Sequence, residues 1–197
     1  MSATTHSLDC PHRYLNPQDG CWHVQVTQGE TYVTGDAREV LTTVLGSCIA
    51  ACIRDSYAGV GGMNHFLLAY GGVHDRDATR YGVNAMEILI NALLKQGADR
   101  RRLEAKLFGG ASVIPGLSDV GASNVDFARQ FLIDEGIALV GGDVRGTLAR
   151  RIQFWPVTGR ARQLAVASDD TQQLVHREMV AAGPSQAHPR GSDVELF

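Results

Sequence analysis

Two apolar runs flank a polar turn in the stretch from residue 48 to residue 68, CIAACIRDSYAGVGGMNHFLL. The first run, Cys48–Ile53, and the second, Val60–Leu68, have the composition and length of strands. The segment between them, from Arg54 to Ala58, is polar, as expected for the connection of a hairpin. The stretch therefore predicts an antiparallel β-hairpin whose first strand is buried.

The segments on either side of this hairpin predict a sheet-rich fold with a few helices. Seven further strands are expected at Trp22–Val26, Thr31–Thr34, Val40–Leu45, Leu103–Leu107, Ile137–Val140, Ala149–Trp155 and Gln163–Ala167. Helices are expected at Tyr81–Lys95, from about Asn124 to Asp134, and more weakly at Thr171–Ala181, with Ser123 as an N-cap and Gly97 and Gly136 as C-caps. Strand blocks interspersed with helices indicate the α+β class, as a layered sandwich.

The positions of proline and glycine residues suggest where the chain divides into an arm, a domain and a tail. We expect an irregular N-terminal arm over residues 1–23, a single domain over 24–182 and a flexible C-terminal tail over 183–197. The total of 197 residues suits one domain with a sizeable core.

Composition excludes several classes of protein. The net charge of −3 argues against nucleic-acid binding. We find no apolar run near the roughly 18 residues that cross a bilayer, and no secretory signal over Met1–Asp9. Four cysteines are too few for a disulfide scaffold of this size. We therefore expect a soluble cytoplasmic protein.

Cys48 and His65 are the first candidates for catalysis. A hairpin turn centred between Ser56 and Tyr57 places these two residues directly opposite each other on one face of the sheet. A thiol beside an imidazole is the arrangement of a cysteine nucleophile, because the imidazole takes or holds the thiol proton. A bulge at the glycines 61 and 62 would shift this register.

The residues before Cys48 could complete such a site. The turn at Gly46 and Ser47 can direct backbone N–H groups at a developing oxyanion. Thr42, six residues before the cysteine, could orient the imidazole of His65 through its hydroxyl or its carbonyl.

Each of these residues also has a purely structural interpretation. A cysteine in an apolar strand is usually a small buried hydrophobe, and Cys52 serves as an internal comparison on the same face. Cys10 and Cys21 lie near several histidines but form no close pair, so no metal site is predicted. A thiol protein with a redox or metal role stays open as an alternative.

Three blocks of sequence resemble the CheD family of chemoreceptor glutamine deamidases. They are TTVLGSCIAACIRD at residues 42–55, GGMNHFLL at residues 61–68 and LEAKLFGGA at residues 103–111. The blocks occur in the family's order, and the resemblance extends roughly from Tyr14 to Ala167.

The resemblance implies a function and a site. It implies that Cys48 is the nucleophile, with His65 and Thr42 as its partners, and that no cofactor is needed. It implies an α/β/β layered sandwich, similar to the catalytic domain of the cytotoxic necrotizing factor toxins. The implied substrates are glutamines in the cytoplasmic domains of methyl-accepting chemoreceptors, with methyl-ester hydrolysis as a related activity. A CheC-type phosphatase is an implied partner, and a binding module without catalysis is the alternative.

Overall fold

The computed structural model describes residues 13–68, 76–113 and 120–166. The helix predicted at Thr171–Ala181 and the predicted C-terminal tail lie outside the described residues. The division of the chain into arm, domain and tail therefore stays a prediction.

Within the described residues, ten strands form two five-stranded sheets. The first sheet consists, in spatial order, of β1 (Arg13–Leu15), β2 (Trp22–Gln25), β4 (Glu39–Leu45), β9 (Arg150–Trp155) and β10 (Arg160–Ala165). The second sheet consists, in spatial order, of β3 (Thr31–Thr34), β6 (Val60–Phe66), β5 (Ile49–Asp55), β7 (Leu103–Gly109) and β8 (Ala138–Val144).

The predicted α+β class is confirmed, and the elements are arranged in three layers. Two helices, α1 (Arg76–Lys95) and α2 (Val120–Asp134), pack on one face of the second sheet. The first sheet packs on the other face. Two apolar cores result, one between the helices and the second sheet and one between the two sheets. Strand β5 contributes to both cores, because successive side chains of a strand point to opposite faces.

Both predicted helix ends are confirmed by their hydrogen bonds. Gly97 has a φ of +94°, and the N–H of Ala98 donates to the carbonyl of Leu93 at 3.1 Å. Gly136 has a φ of +66°, and the N–H of Ile137 donates to the carbonyl of Leu132 at 2.9 Å. This left-handed glycine cap satisfies carbonyls that the helix leaves without an intrahelical donor.

Several boundaries differ from the sequence-based expectation: α1 begins at Arg76 rather than at Tyr81, β8 continues to Val144, and β10 begins at Arg160 rather than at Gln163. Ser123 is not an N-cap, because α2 already begins at Val120. Its first turn lies close against the end of β7, where a Cβ at Gly121 would come within 2.7 Å of the carbonyl oxygen of Gly110. The N-terminal arm is also not wholly irregular, since Arg13–Leu15 pairs antiparallel with β2. Within the described residues, no helix is both long and apolar enough to cross a membrane.

Candidate active site

The hairpin predicted from the sequence is present, but its register differs by two residues. His65 pairs with Ala50, so the prediction that Cys48 lies directly opposite His65 is wrong. Strand β5 continues to Asp55, which pairs with Val60, so the turn comprises only residues 56–59. The carboxylate of Asp55 accepts hydrogen bonds from the N–H groups of Tyr57 and Ala58. The centre of the turn therefore lies one residue later than expected, and the pairing of β5 with β6 continues without a bulge.

Cys48 and His65 nevertheless face the same side of the second sheet. Cys48 precedes Ala50 by two residues, so it lies diagonally from His65 and on the same face. Both side chains are buried, and Cys48 belongs to the core between the two sheets together with Ala50 and Cys52. A diagonal neighbour is within reach of a side chain as long as histidine.

The imidazole of His65 is held at one of its two nitrogens. Its Nδ1 lies 2.9 Å from the hydroxyl oxygen of Thr43 and 3.4 Å from the carbonyl oxygen of Val26. A carbonyl can only accept, so these contacts favour the tautomer that carries its proton on Nδ1. Nε2 is buried and has no hydrogen-bond partner in the described part of the chain. In this tautomer Nε2 presents its lone pair and can accept a proton.

The threonine hydroxyl at His65 belongs to Thr43 rather than to Thr42. Alternation along β4 turns Thr43 toward the second sheet, with Leu41 and Leu45 on the same face. The hydroxyl of Thr42 points to the other face and donates to Oε1 of Gln25 at 3.1 Å.

Thr42 is linked to the imidazole only through the backbone. Its carbonyl accepts from the N–H of Val26 at 2.9 Å, and the carbonyl of Val26 in turn lies near Nδ1 of His65. The expectation that the Thr42 hydroxyl contacts the ring is therefore corrected, and a role for Thr42 in the site stays a prediction.

Burial lowers the pKa of His65 to about 4, although Glu30 and the carbonyl of Val26 oppose this shift. Burial removes the water that would stabilise the imidazolium, so the neutral ring is favoured near pH 7. Burial also raises the pKa of the Cys52 thiol. A protonated, buried Cys52 is a poor nucleophile, because the thiolate is the reactive form.

The carbonyl groups before Cys48 are fixed by hydrogen bonds. The carbonyl of Gly46 accepts from the N–H of Ala111 at 2.8 Å, and that of Ser47 accepts from Nδ2 of Asn124 at 2.8 Å. In a trans peptide, the C=O of one residue and the N–H of the next point in opposite directions. The N–H groups of Ser47 and Cys48 therefore point away from Ala111 and Asn124.

The end of β7 packs against the backbone of Cys48. The carbonyl of Cys48 accepts from the N–H of Gly110 at 2.8 Å. Gly109 adopts a φ of +105°, and a Cβ at this position would lie 2.1 Å from the Cys48 carbonyl oxygen. Only glycine allows this close approach of two backbones. The segment at residues 103–111 thus fixes the backbone of the segment at residues 42–55 that contains Cys48.

Gln28 contacts the thiol from the turn between β2 and β3. The Sγ of Cys48 donates to Oε1 of Gln28 at a distance of 3.7 Å. The N–H of Gly29 donates to the carbonyl of His65 at 2.7 Å, and the N–H of His65 donates to the carbonyl of Glu30 at 3.1 Å. The turn that carries Gln28 is thus attached to the strand that carries His65.

Three polar residues around the site were missed by the sequence analysis. Alternation with Leu41 and Leu45 could have identified Thr43 as the inward-facing threonine. Asn124 is a fully buried polar residue on an otherwise apolar face of α2. Its place one residue after the expected cap, Ser123, suggested a helix end rather than a buried position. No sequence signal indicates Gln28, because its contact joins two segments that only the fold brings together.

No metal site is evident in the part of the chain that the structure describes, where no three His, Cys, Asp or Glu side chains cluster. His23 instead contacts Asp19 at 2.8 Å, and the thiol of Cys21 donates to the Asp19 carbonyl. Cys10 lies outside the described residues.

Comparison with known proteins identifies the family. The chain is 58% identical over 176 residues to a Caulobacter vibrioides protein named as a probable chemoreceptor glutamine deamidase CheD, with 88% of this chain and 92% of that one covered. It is 50% identical over 186 residues to a Rhizobium meliloti protein of the same name, with 93% and 100% covered. The chain belongs to the CheD family. The family model described as CheD chemotactic sensory transduction matches residues 69–165.

The CheD chain is also similar to a solved structure outside the family. A Neisseria meningitidis protein of the DUF152 family matches with a TM-score of 0.47 and 12% sequence identity, over 66% of each chain.

Proposed function

We propose that this CheD protein is a chemoreceptor glutamine deamidase, which hydrolyses the side-chain amide of protein glutamines to glutamate and ammonia. One observation carries the proposal: a buried imidazole, whose Nε2 has no hydrogen-bond partner among the described residues, lies on the same sheet face as the thiol of Cys48. That arrangement has the parts that a cysteine amidohydrolase needs. The names of the relatives supply the substrate, a glutamine side chain of a chemoreceptor.

The first half of the reaction forms a thioester. The thiol proton of Cys48 passes to Nε2 of His65, and the sulfur bonds to the amide carbon. The resulting imidazolium returns that proton to the nitrogen as the C–N bond breaks, and ammonia leaves. The lowered pKa of His65 favours this transfer, because a buried imidazolium is a stronger acid than an exposed one.

The second half hydrolyses the thioester. His65 takes a proton from water, and the oxygen bonds to the acyl carbon. The carbon–sulfur bond then breaks, the sulfur recovers its proton and glutamate is released. Thr43 and the Val26 carbonyl keep the ring oriented throughout, and Thr42 supports Val26 through the backbone.

The backbone N–H groups of Ser47 and Cys48 are the proposed oxyanion donors. The carbonyls of Gly46 and Ser47 are anchored, so these two N–H directions are set before substrate binds. Donors that need no reorganisation stabilise a developing charge most effectively. No metal or organic cofactor enters this scheme.

Further features of the proposal come from the family resemblance. The substrates are the cytoplasmic domains of methyl-accepting chemoreceptors, which places the reaction in the cytoplasm. A CheC-type phosphatase is the proposed protein partner. The three layers described above support the α/β/β sandwich of the family, and the likeness to the cytotoxic necrotizing factor catalytic domain stays a prediction.

Ammonia release from a purified chemoreceptor cytoplasmic fragment tests the function. We expect the wild-type protein to release ammonia in step with loss of amide from the fragment. An absence of ammonia, although the fragment binds, would contradict the deamidase proposal. It would favour the alternative of a binding module for receptors or a CheC-type phosphatase.

A further inference from the structure

Gln28 is an exposed residue, and its side chain reaches the buried thiol of Cys48. We propose that Gln28 is a positioning residue for the substrate: its Oε1 accepts a hydrogen bond from the NH₂ group of the substrate amide. This inference rests on the proposed deamidase function and adds a determinant of its specificity. In the structure the same oxygen accepts from the thiol of Cys48, so it already lies where the reaction takes place.

The distances suit this role. Oε1 of Gln28 lies 3.7 Å from the Sγ of Cys48. An amide carbon poised for attack lies about 3–3.5 Å from the sulfur, and an N–H···O bond spans about 2.9 Å. An amide nitrogen bonded to that carbon can therefore lie beside the sulfur and within hydrogen-bond distance of Oε1. Once the thiol proton has moved to His65, Oε1 no longer has the thiol as a donor and can accept from the substrate.

The backbone that carries Gln28 is fixed on both sides. The N–H of Thr27 donates to Oε2 of Glu30 at 2.7 Å and closes the turn. Gly29 has a φ of +87°, which glycine adopts without strain. Two hydrogen bonds join this turn to the backbone of His65. A displacement of the Gln28 backbone relative to His65 would thus require the turn to separate from β6.

The chemistry of an accepting oxygen gives discrimination among acyl groups. A carboxamide offers N–H donors to Oε1, whereas the product carboxylate offers none and presents oxygen to oxygen. A carboxylate at this position replaces a hydrogen bond by the repulsion between two acceptors, so the amide binds in preference to its product. Gln28 would therefore select the substrate and favour release of glutamate.

Two variants at position 28 distinguish positioning of the substrate amide from an effect of Gln28 on the reactivity of the thiol. Gln28→Met keeps the length of the side chain and removes the amide acceptor, whereas Gln28→Glu keeps an acceptor oxygen. For each variant, kcat/KM for deamidation of a chemoreceptor fragment is divided by the rate at which methyl methanethiosulfonate modifies Cys48. This reagent carries no carboxamide, so the ratio corrects for changes in thiol reactivity. Gln96→Met alters an exposed glutamine on another face and is the control.

We expect the ratio to fall about ten-fold in Gln28→Met, the loss of one hydrogen bond in the transition state. It should stay within about three-fold of wild type in Gln28→Glu and be unchanged in Gln96→Met. An unchanged ratio in Gln28→Met would overturn the proposal while the deamidase function stands. A rise would also overturn it, because Gln28 would then be blocking the site. A wild-type protein without deamidase activity would overturn both.

Discussion

The hydroxyl of Thr43 lies 2.9 Å from Nδ1 of His65, while the other ring nitrogen, Nε2, has no hydrogen-bond partner in the part of the chain that the structure describes. A contact at Nδ1 determines which nitrogen carries the proton and thereby which one can act as a base. The same relationship recurs in catalytic triads, where a third group orients the histidine. In this chain a neutral hydroxyl, together with the carbonyl of Val26, fills that role.

Replacing Thr43 tests this orientation. We expect Thr43→Val to lower kcat for receptor deamidation about ten-fold to a hundred-fold with a smaller change in KM, because the base is misoriented while the surface that binds substrate is intact. Thr43→Ser keeps the hydroxyl and should recover most of the activity. Steady-state kinetics of the purified variants measure both parameters.

Thr42→Val is the matched comparison on the same strand. Its hydroxyl meets Gln25 rather than His65, so its loss of kcat should be smaller than that of Thr43→Val. A larger loss in Thr42→Val would instead support the assignment that the family resemblance implies.

Burial of His65 makes stability depend on pH. Its pKa is about 4 in the folded protein and about 6.5 in the unfolded chain. Between these values the unfolded state binds the proton and the folded state does not, so the free energy of unfolding falls as pH decreases from about 6.5 to about 4. The decrease should reach about 3 kcal/mol. Above pH 6.5 this residue contributes no dependence.

Urea unfolding at a series of pH values measures this dependence. In His65→Gln the titrating group is gone, so the dependence over the same interval should be weaker by that amount. Identical slopes in the two proteins would show that His65 is not the group responsible.

Much of the fold could be predicted from local patterns, and the site only in part. Alternation and glycine caps identified most of the strands and both helix ends, because these features depend on neighbouring residues. The hairpin register could not be obtained in this way, since β5 continues to Asp55, whose carboxylate accepts from the backbone of the turn, and Gly59 ends the turn with a φ of +67°. A shift of two residues preserves the face, so Cys48 and His65 still face the same side.

Contacts between distant segments account for what the sequence analysis missed. Gln28 and Asn124 approach Cys48 from two other elements, and neither is close to it in sequence. The alternation of inward and outward side chains along β4 can be read from the sequence, and it distinguishes Thr43 from Thr42. The family resemblance selects Thr42 by its distance from the cysteine along the chain, and that distance does not say which face of β4 a side chain occupies.

The two core cysteines should differ in reactivity. In the native protein we expect iodoacetamide to modify Cys48 and to leave Cys52 unmodified near neutral pH, because burial raises the pKa of Cys52. His65→Ala should slow the modification of Cys48, since the thiol loses its proton acceptor. Mass spectrometry of tryptic peptides distinguishes the two sites. Equal labelling of Cys48 with and without His65 would refute their coupling.

Asn124 should affect catalysis through the backbone. Its Nδ2 donates to the carbonyl of Ser47, and its Oδ1 accepts from the N–H of Leu68 at 2.8 Å. Asn124→Asp keeps the acceptor but removes the donor to Ser47. We expect kcat to fall about ten-fold or more, because the Cys48 N–H loses its fixed direction.

The split between kinetic parameters distinguishes this effect from general damage. KM and the circular dichroism spectrum should change little in Asn124→Asp if the substrate surface is intact. An unchanged kcat in a folded variant would remove Asn124 and the Ser47 carbonyl from the account of the oxyanion site.

The central claim is that Cys48 attacks the glutamine amide. Peptide mapping by mass spectrometry of a chemoreceptor cytoplasmic fragment, after incubation with wild type, Cys48→Ala or Cys52→Ala, tests it most directly. We predict conversion of glutamine to glutamate with wild type and with Cys52→Ala, and none with Cys48→Ala. Conversion by a folded Cys48→Ala protein would contradict the account.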